Sequence, residues 1–192
     1  NVPLDLDGSY WNPSGNQQVP AMGGFDALGP AIVLLPTRGL PTNLECSMQF
    51  SAEVVDKQGI APCTPANGDV LAGCNPGDMS AFKFKVEPLS FDNEPPNMST
   101  GVNRMSPVIL LANTQLDMTS VNATNITVTT STGGAVVPPF TFAVMMSKNI
   151  TITFSAPLSA MAVYTVTVTT GVKDTFGQSR PAPYVITFTT AS

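Results

Sequence analysis

From residue 125 onward the apolar side chains recur at every second position: Ile126 and Val128, then Ile150, Ile152 and Phe154, then Tyr164, Val166 and Val168, then Ile186 and Phe188. Threonine or another small residue fills the places between. A period of two puts the apolar set on one face of an extended chain, and β-branched residues suit a pleated, half-buried surface. No window offers the competing pattern, a capped stretch with apolar residues every three to four positions over roughly ten residues. The chain is therefore expected to be all-β. Its punctuation agrees, because Gly133-Gly134, Pro138-Pro139 and the runs 174–177 and 181–183 separate these segments at the spacing of a β-sandwich.

An internal repeat constrains the chain further. Residues 46–59, CSMQFSAEVVDKQG, align without gaps on residues 164–177, YTVTVTTGVKDTFG, at an offset of 118, the distance from Cys46 to Tyr164. The same offset sets Ile32 on Ile150, Leu40 on Leu158, Met48 and Phe50 on Val166 and Val168, Val54 on Val172, Asp56 on Asp174 and Gly59 on Gly177. Further upstream Gly15, Val19 and Pro20 fall on Gly133, Val137 and Pro138. Downstream, Phe82 and Phe84 fall on Ile186 and Phe188 at an offset of 104, so the first copy carries 14 extra residues, which include Cys63 and Cys74. Two copies of one β-sandwich follow, residues 1–90 and 91–192, joined near the prolines of 88–96. The copies are unequal. Residues 108–112, VILLA, give the second copy a leading strand whose counterpart would fall before residue 1. A sandwich without its opening strand leaves unpaired backbone groups beside an apolar groove. Three occupants fit that groove: chain upstream of residue 1, the 1–18 arm folding back, or a strand of a neighbouring molecule.

Composition narrows the function. Only 11% of residues are charged, against a usual ~25%, so the surface relies on Thr, Ser and Asn for its polarity. The net charge of -5 has the wrong sign for phosphate backbones, and nucleic acid is excluded as a partner. Histidine is absent, which removes Ser-His and Cys-His nucleophile pairs and the commonest neutral-pH base. The thirteen acids sit in no glycosidase-like, phosphate-loop or nucleophile-elbow motif, so the chain is expected not to be an enzyme and to carry no cofactor. The apolar runs 31–35 and 108–112 are far shorter than the ~20 residues of a membrane span. The chain opens on Asn1 without a charged, then apolar leader, as expected of a mature or excised segment. Cys63 and Cys74 bracket a loop rich in Pro, Gly, Asn and Asp, and a disulfide between them is expected, implying an oxidising compartment. Cys46 lies in a strand pattern and reads as a small buried hydrophobe.

The series ITITF at 150–154, Leu158, YTVTV at 164–168, VKDTFG at 172–177 and ITFTT at 186–190 resembles the bacterial Ig-like domain of S-layer and other surface proteins. Residues 107–111, PVILL, and 116–121, LDMTSV, fit the first half of that pattern. The likeness covers 91–190 well and 32–86 more loosely. The first copy departs from it in the 14-residue insertion, in Cys46 where the second copy has Tyr164, and in the missing strand. The resemblance implies two tandem Ig-like Greek-key β-sandwiches, the first lacking its opening strand, on an extracellular surface, as a spacer, scaffold or assembly module without catalysis.

Several residue groups invite functional readings, each weighed against a structural one. Asp56 and Asp174 each precede a Gly by three residues, the pattern of a turn in which a carboxylate accepts backbone N–H groups. Asp5-Leu6-Asp7-Gly8 begins like a calcium loop but lacks its later ligands. Asp92 and Glu94, with Asp56 or Glu87, form an acidic junction read as solvated linker rather than a cation site, and no metal is expected. Four Asn-x-Ser/Thr triplets start at Asn97, Asn122, Asn125 and Asn149, the last two in strand patterns. Tyr10 and Trp11 have the flat faces of a sugar-binding platform, although a lone Trp more commonly anchors a core. The leading expectation is a structural protein that polymerises by strand addition, with Val2, Leu4, Leu6, Tyr10 and Trp11 of the 1–18 arm as the donated strand. The rival is an adhesin or carbohydrate-binding module that contacts a cell-surface glycan through Trp11 or the Cys63 to Cys74 loop.

Overall fold

The computed structural model describes residues 1–12, 31–65, 69 and 71–192. The repeat matches at Gly15, Val19 and Pro20 and the arm beyond residue 12 lie outside them. The chain divides into two compact units, Asn1–Leu40 and Pro41–Ser192. In the first, β1 (Leu4–Asn12) pairs antiparallel with β2 (Ala31–Pro36).

The second unit holds ten strands among its described residues. They are β3 (Glu45–Ser47), β4 (Lys83–Lys85), β5 (Phe91–Glu94), β6 (Ser99–Val102), β7 (Val108–Ala112), β8 (Ile126–Thr130), β9 (Phe140–Met145), β10 (Asn149–Phe154), β11 (Val163–Val168) and β12 (Tyr184–Thr190). Among the described residues the only helical element is a 3-10 turn at Met118–Ser120, capped by the Asp117 carboxylate. All-β architecture is thus observed, as the alternation requires.

Residues from Leu89 onward form a β-sandwich of two four-stranded sheets, ordered β5-β7-β10-β9 and β6-β12-β11-β8. The chain crosses between the sheets at every connection except the β9–β10 and β11–β12 hairpins. The alternation seen in the sequence lines the space between the sheets. From one sheet come Phe91, Val108, Leu110, Ile150, Ile152 and Phe154, and from the other Ile126, Val128, Tyr164, Val166, Val168, Ile186 and Phe188, all buried. Each such side chain contributes about 1.5–3 kcal/mol relative to an exposed position. Tyr164, fully buried, stacks on Phe188 with ring centroids 5.9 Å apart. Its hydroxyl donates to the Val136 carbonyl at 2.8 Å and accepts the Ser159 N–H at 2.9 Å, so one side chain ties two loops to the core.

The repeated sequence forms strands that match at two places. β2 lies 118 residues before β10, end for end. Cys46 of β3 faces Phe84 of β4, as Tyr164 of β11 faces Phe188 of β12, so the two hairpins share one register at the offsets read from the sequence. Among the described residues, 1–90 form the two-stranded sheets β1-β2 and β3-β4, and every buried apolar residue lies at or beyond Leu89. The β11–β12 hairpin packs its apolar face on the β5-β7-β10-β9 sheet, whereas Phe82 and Phe84 beside the β3–β4 pairing are exposed.

Candidate assembly site

The arm lies along β2. Leu4 and Asp5 face Pro36 and Leu35, and Tyr10, Trp11 and Asn12 face Val33, Ile32 and Ala31, with a break in register between Asp5 and Tyr10. Residues 6–9 form a bulge at that break. The Asp5 carboxylate accepts the N–H groups of Asp7 and Gly8, both at 3.1 Å, and the Ser9 hydroxyl donates to the Asp5 carbonyl at 2.6 Å while accepting the Leu35 N–H at 2.9 Å. A Cβ at Gly8 would come within 2.6 Å of Leu35 Cδ2 and 2.9 Å of the Asp5 carboxylate, so a larger residue there would displace those two side chains. Asp5-Leu6-Asp7-Gly8, which starts like a calcium loop, is thus a β-bulge whose first carboxylate is used by backbone. The alternation of Val2, Leu4 and Leu6 suggests a straight strand; the bulge instead throws Leu6 out to 80% exposure, with Leu4 at 41% and Val2 half-buried. Tyr10 is half-buried, and the Trp11 side chain lies outside the described residues.

The edge that β1 occupies is identified by the repeat. The Thr37 N–H donates to the Pro3 carbonyl at 3.0 Å, and 118 residues later the Ser155 N–H donates to the Pro139 carbonyl at 2.8 Å. β1 therefore takes on β2 the place that β9 takes on β10. On β10 the opposite edge pairs with β7, Ile150 facing Leu110 and Ile152 facing Val108. On β2 that opposite edge has no strand among the described residues.

The β3–β4 ribbon presents the same chemistry in another form. Phe82 and Phe84, 37% and 41% exposed, pack edge to face at 6.5 Å, where their counterparts Ile186 and Phe188 are buried. Cys46 is a free, half-buried thiol rather than a fully buried one. Lys83 and Glu45 form an exposed ion pair at 3.5 Å.

Both Asp–Gly turns form with nearly identical geometry. Asp56 accepts the N–H groups of Gln58 and Ile60, each at 2.8 Å; Asp174 accepts those of Phe176 and Gln178 at 2.9 and 2.8 Å. Gly59 and Gly177 both sit at φ 81°. Asp174 differs in being fully buried, its second oxygen accepting the Thr42 N–H at 2.8 Å and hydroxyl at 3.0 Å. One carboxylate thus anchors the start of the second unit's chain 132 residues away. Nothing periodic marks Thr42 in the sequence, which is why this link escapes pattern reading.

The inserted loop is closed by a Cys63–Cys74 disulfide, Cα atoms 5.8 Å apart, as its spacing suggests. Within it the Ser80 hydroxyl, then the Ser80 N–H, hold Asp78 below the usual carboxylate range. Thr119 acts likewise on Asp117 at the 3-10 turn. Burial pushes the Tyr184 phenol up, opposed by Arg180, whose guanidinium lies 5.3 Å from the ring centroid. Three of the four sequon side chains are engaged: Asn97 accepts the Thr187 N–H, Asn122 accepts those of Thr124 and Asn125, and Asn125 donates its amide to the Ser120 carbonyl, whereas the buried Asn149 Oδ1 has no hydrogen-bond partner among the described residues. Asn125 ends just ahead of β8, not within it, whereas Asn149 opens β10. Asp92 lies in β5 with Glu94, and among the described residues no group of three or more His, Cys, Asp or Glu could hold a metal ion. No helix among them is long and apolar enough to cross a membrane.

The profile of a family described as bacterial Ig-like domain matches residues 86–190, the stretch that folds as the β5–β12 sandwich. No curated protein matches the chain.

Proposed function

The chain belongs to the bacterial Ig-like domain family, and from that premise we propose that it is a non-enzymatic extracellular structural protein that assembles with copies of itself by strand addition. Domains of this family are non-catalytic and typical of surface proteins, and the Cys63–Cys74 disulfide is consistent with an oxidising exterior. Residues 1–90 are then a second copy of the 91–192 sandwich, and a strand from a neighbouring copy adds to it on assembly.

The observation that carries this reading is the edge of β2 that corresponds to the β7 edge of β10 and has no strand on it among the described residues. In the assembly the arm of one molecule leaves its own β2 and lies antiparallel along that edge of the next. Val2, Leu4 and Leu6 take the alternate places that Val108, Leu110 and Ala112 take in the complete copy. Backbone hydrogen bonds supply the strength, and the alternating side chains set the register. Because donor and acceptor surfaces differ, the contact is head to tail and propagates.

The test is the full chain carrying Leu4→Asp with Leu6→Asp, compared with the parent by electron microscopy. Leu6 is largely exposed, so the fold tolerates the change while the arm loses its apolar register. Loss of polymers with an unchanged circular dichroism spectrum supports the arm as donor; polymers indistinguishable from the parent's rule it out.

A further inference from the structure

The complete sandwich has four edge strands; two are protected in the ways natural sheets protect edges, and a third is closed at one end. β5 carries Asp92 and Glu94 and runs into Pro95. β6 is short, pairs irregularly with β12, and has Gly101 at φ 70°. On β8 the Ile126 N–H is taken by the Asn122 carbonyl, which closes one end of that edge.

β9 is entered from Pro138-Pro139 but carries no charge, proline or glycine between Phe140 and Met145. Ser155 donates to Pro139, so the odd-numbered residues of β9 turn their N–H and C=O groups toward β10, and those of Phe140, Phe142 and Val144 face away from it. None of these three has a backbone partner on that outer side among the described residues. Their side chains pack against the core, which holds the strand straight, while Thr141 and Ala143 stand exposed on the outer face and Met145 is 59% exposed. No charged residue occurs between Asp117 and Lys148, and no proline occurs within β9.

We propose that the open edge of β9 pairs with β9 of a second copy, joining two β5-β7-β10-β9 sheets into one continuous sheet. The strand is self-complementary. Turned end for end about Phe142, it sets Phe140 opposite Val144 and Phe142 opposite its mate, so each outward N–H meets an outward C=O in about six hydrogen bonds. On the exposed face Thr141 meets Ala143, and no charge meets a like charge. The contact uses the same surface on both molecules and stops at two. It is independent of the arm, which makes a head-to-tail contact, and the two together would build a filament of paired chains.

The experiment uses the full chain with Leu4→Asp and Leu6→Asp, which removes arm exchange and so separates this contact from the proposed polymerisation. Sedimentation over a concentration series should show a monomer–dimer equilibrium. Amide exchange followed by NMR should show Phe140, Phe142 and Val144 slowing as concentration rises, with Val128 on β8 unchanged. Adding Thr141→Lys with Ala143→Lys sets lysine against lysine across the two-fold and should weaken the dimer about tenfold or more. A monomer at all concentrations, a dimer indifferent to the lysines, or concentration-dependent protection at β8 in place of β9 would each overturn the proposal.

Discussion

Residues 51–60 and 169–178 are the same ten-residue turn in two settings. In both, an Asp carboxylate gathers two N–H groups, a Gly donates to that Asp carbonyl at 3.0 Å, and the Asp N–H closes on the carbonyl four residues ahead at 2.9 Å. Around them everything differs. Val172 is 1% exposed and Val54 38%; Phe188 is 2% exposed and Phe84 41%. Local hydrogen bonding therefore follows from about ten residues of sequence, whereas burial follows from having a second sheet to face.

If that division is right, paired substitutions at repeat positions should differ wherever burial matters and agree wherever only the turn matters. The largest contrast is between Phe188→Ala and Phe84→Ala. Losing the first empties a buried site stacked on Tyr164 and should cost about 3–5 kcal/mol, while the second, half solvated, should cost under about 1 kcal/mol. Urea unfolding of both variants measures the gap, and equal costs would break the comparison.

Next come the carboxylates. Asp174→Ala leaves the N–H groups of Thr42, Phe176 and Gln178 without their acceptor inside the fold and should destabilise by about 3 kcal/mol. Asp56→Ala lets water replace the carboxylate and should cost about 0.5–1 kcal/mol. Proteolysis of the 41–47 segment should accelerate only in the first variant, because Thr42 is its anchor.

The disulfide belongs to the insertion that only the first copy has. Cys63→Ser with Cys74→Ser removes at most about 2–3 kcal/mol of loop restraint, and the thermal transition of the β5–β12 sandwich should stay within experimental error. The smallest effects should also be the most alike. Gly59→Ala and Gly177→Ala each force an alanine into the left-handed region with no neighbour within 4 Å, so each should cost about 1 kcal/mol. A large excess at Gly177 would mean that burial reaches the turn after all.

Much of the sandwich was legible. The run at 108–112 is β7 to the residue, and the alternating sets after residue 125 are the inner faces of β8, β10, β11 and β12, because a period of two is a property of single strands. What pattern reading misses is set by partners far away in the chain. The role of Tyr164 depends on loops at Val136 and Ser159, and that of Asp174 on Thr42. The arm at residues 1–12 reads as extended, and it is, but its bulge arises from Asp5, Gly8 and Ser9 acting together. The alternation of Phe140, Phe142 and Val144 is visible in the sequence, yet their standing at a sheet edge follows only from strand order.

The central claim, that this chain is built to add strands between copies, is tested most directly by negative-stain electron microscopy of the native, unheated protein with light scattering on the same sample. Regular filaments or sheets and a mass far above one chain are expected. A clean 20.1 kDa monomer at every concentration would contradict it, placing the completing strand within the chain itself.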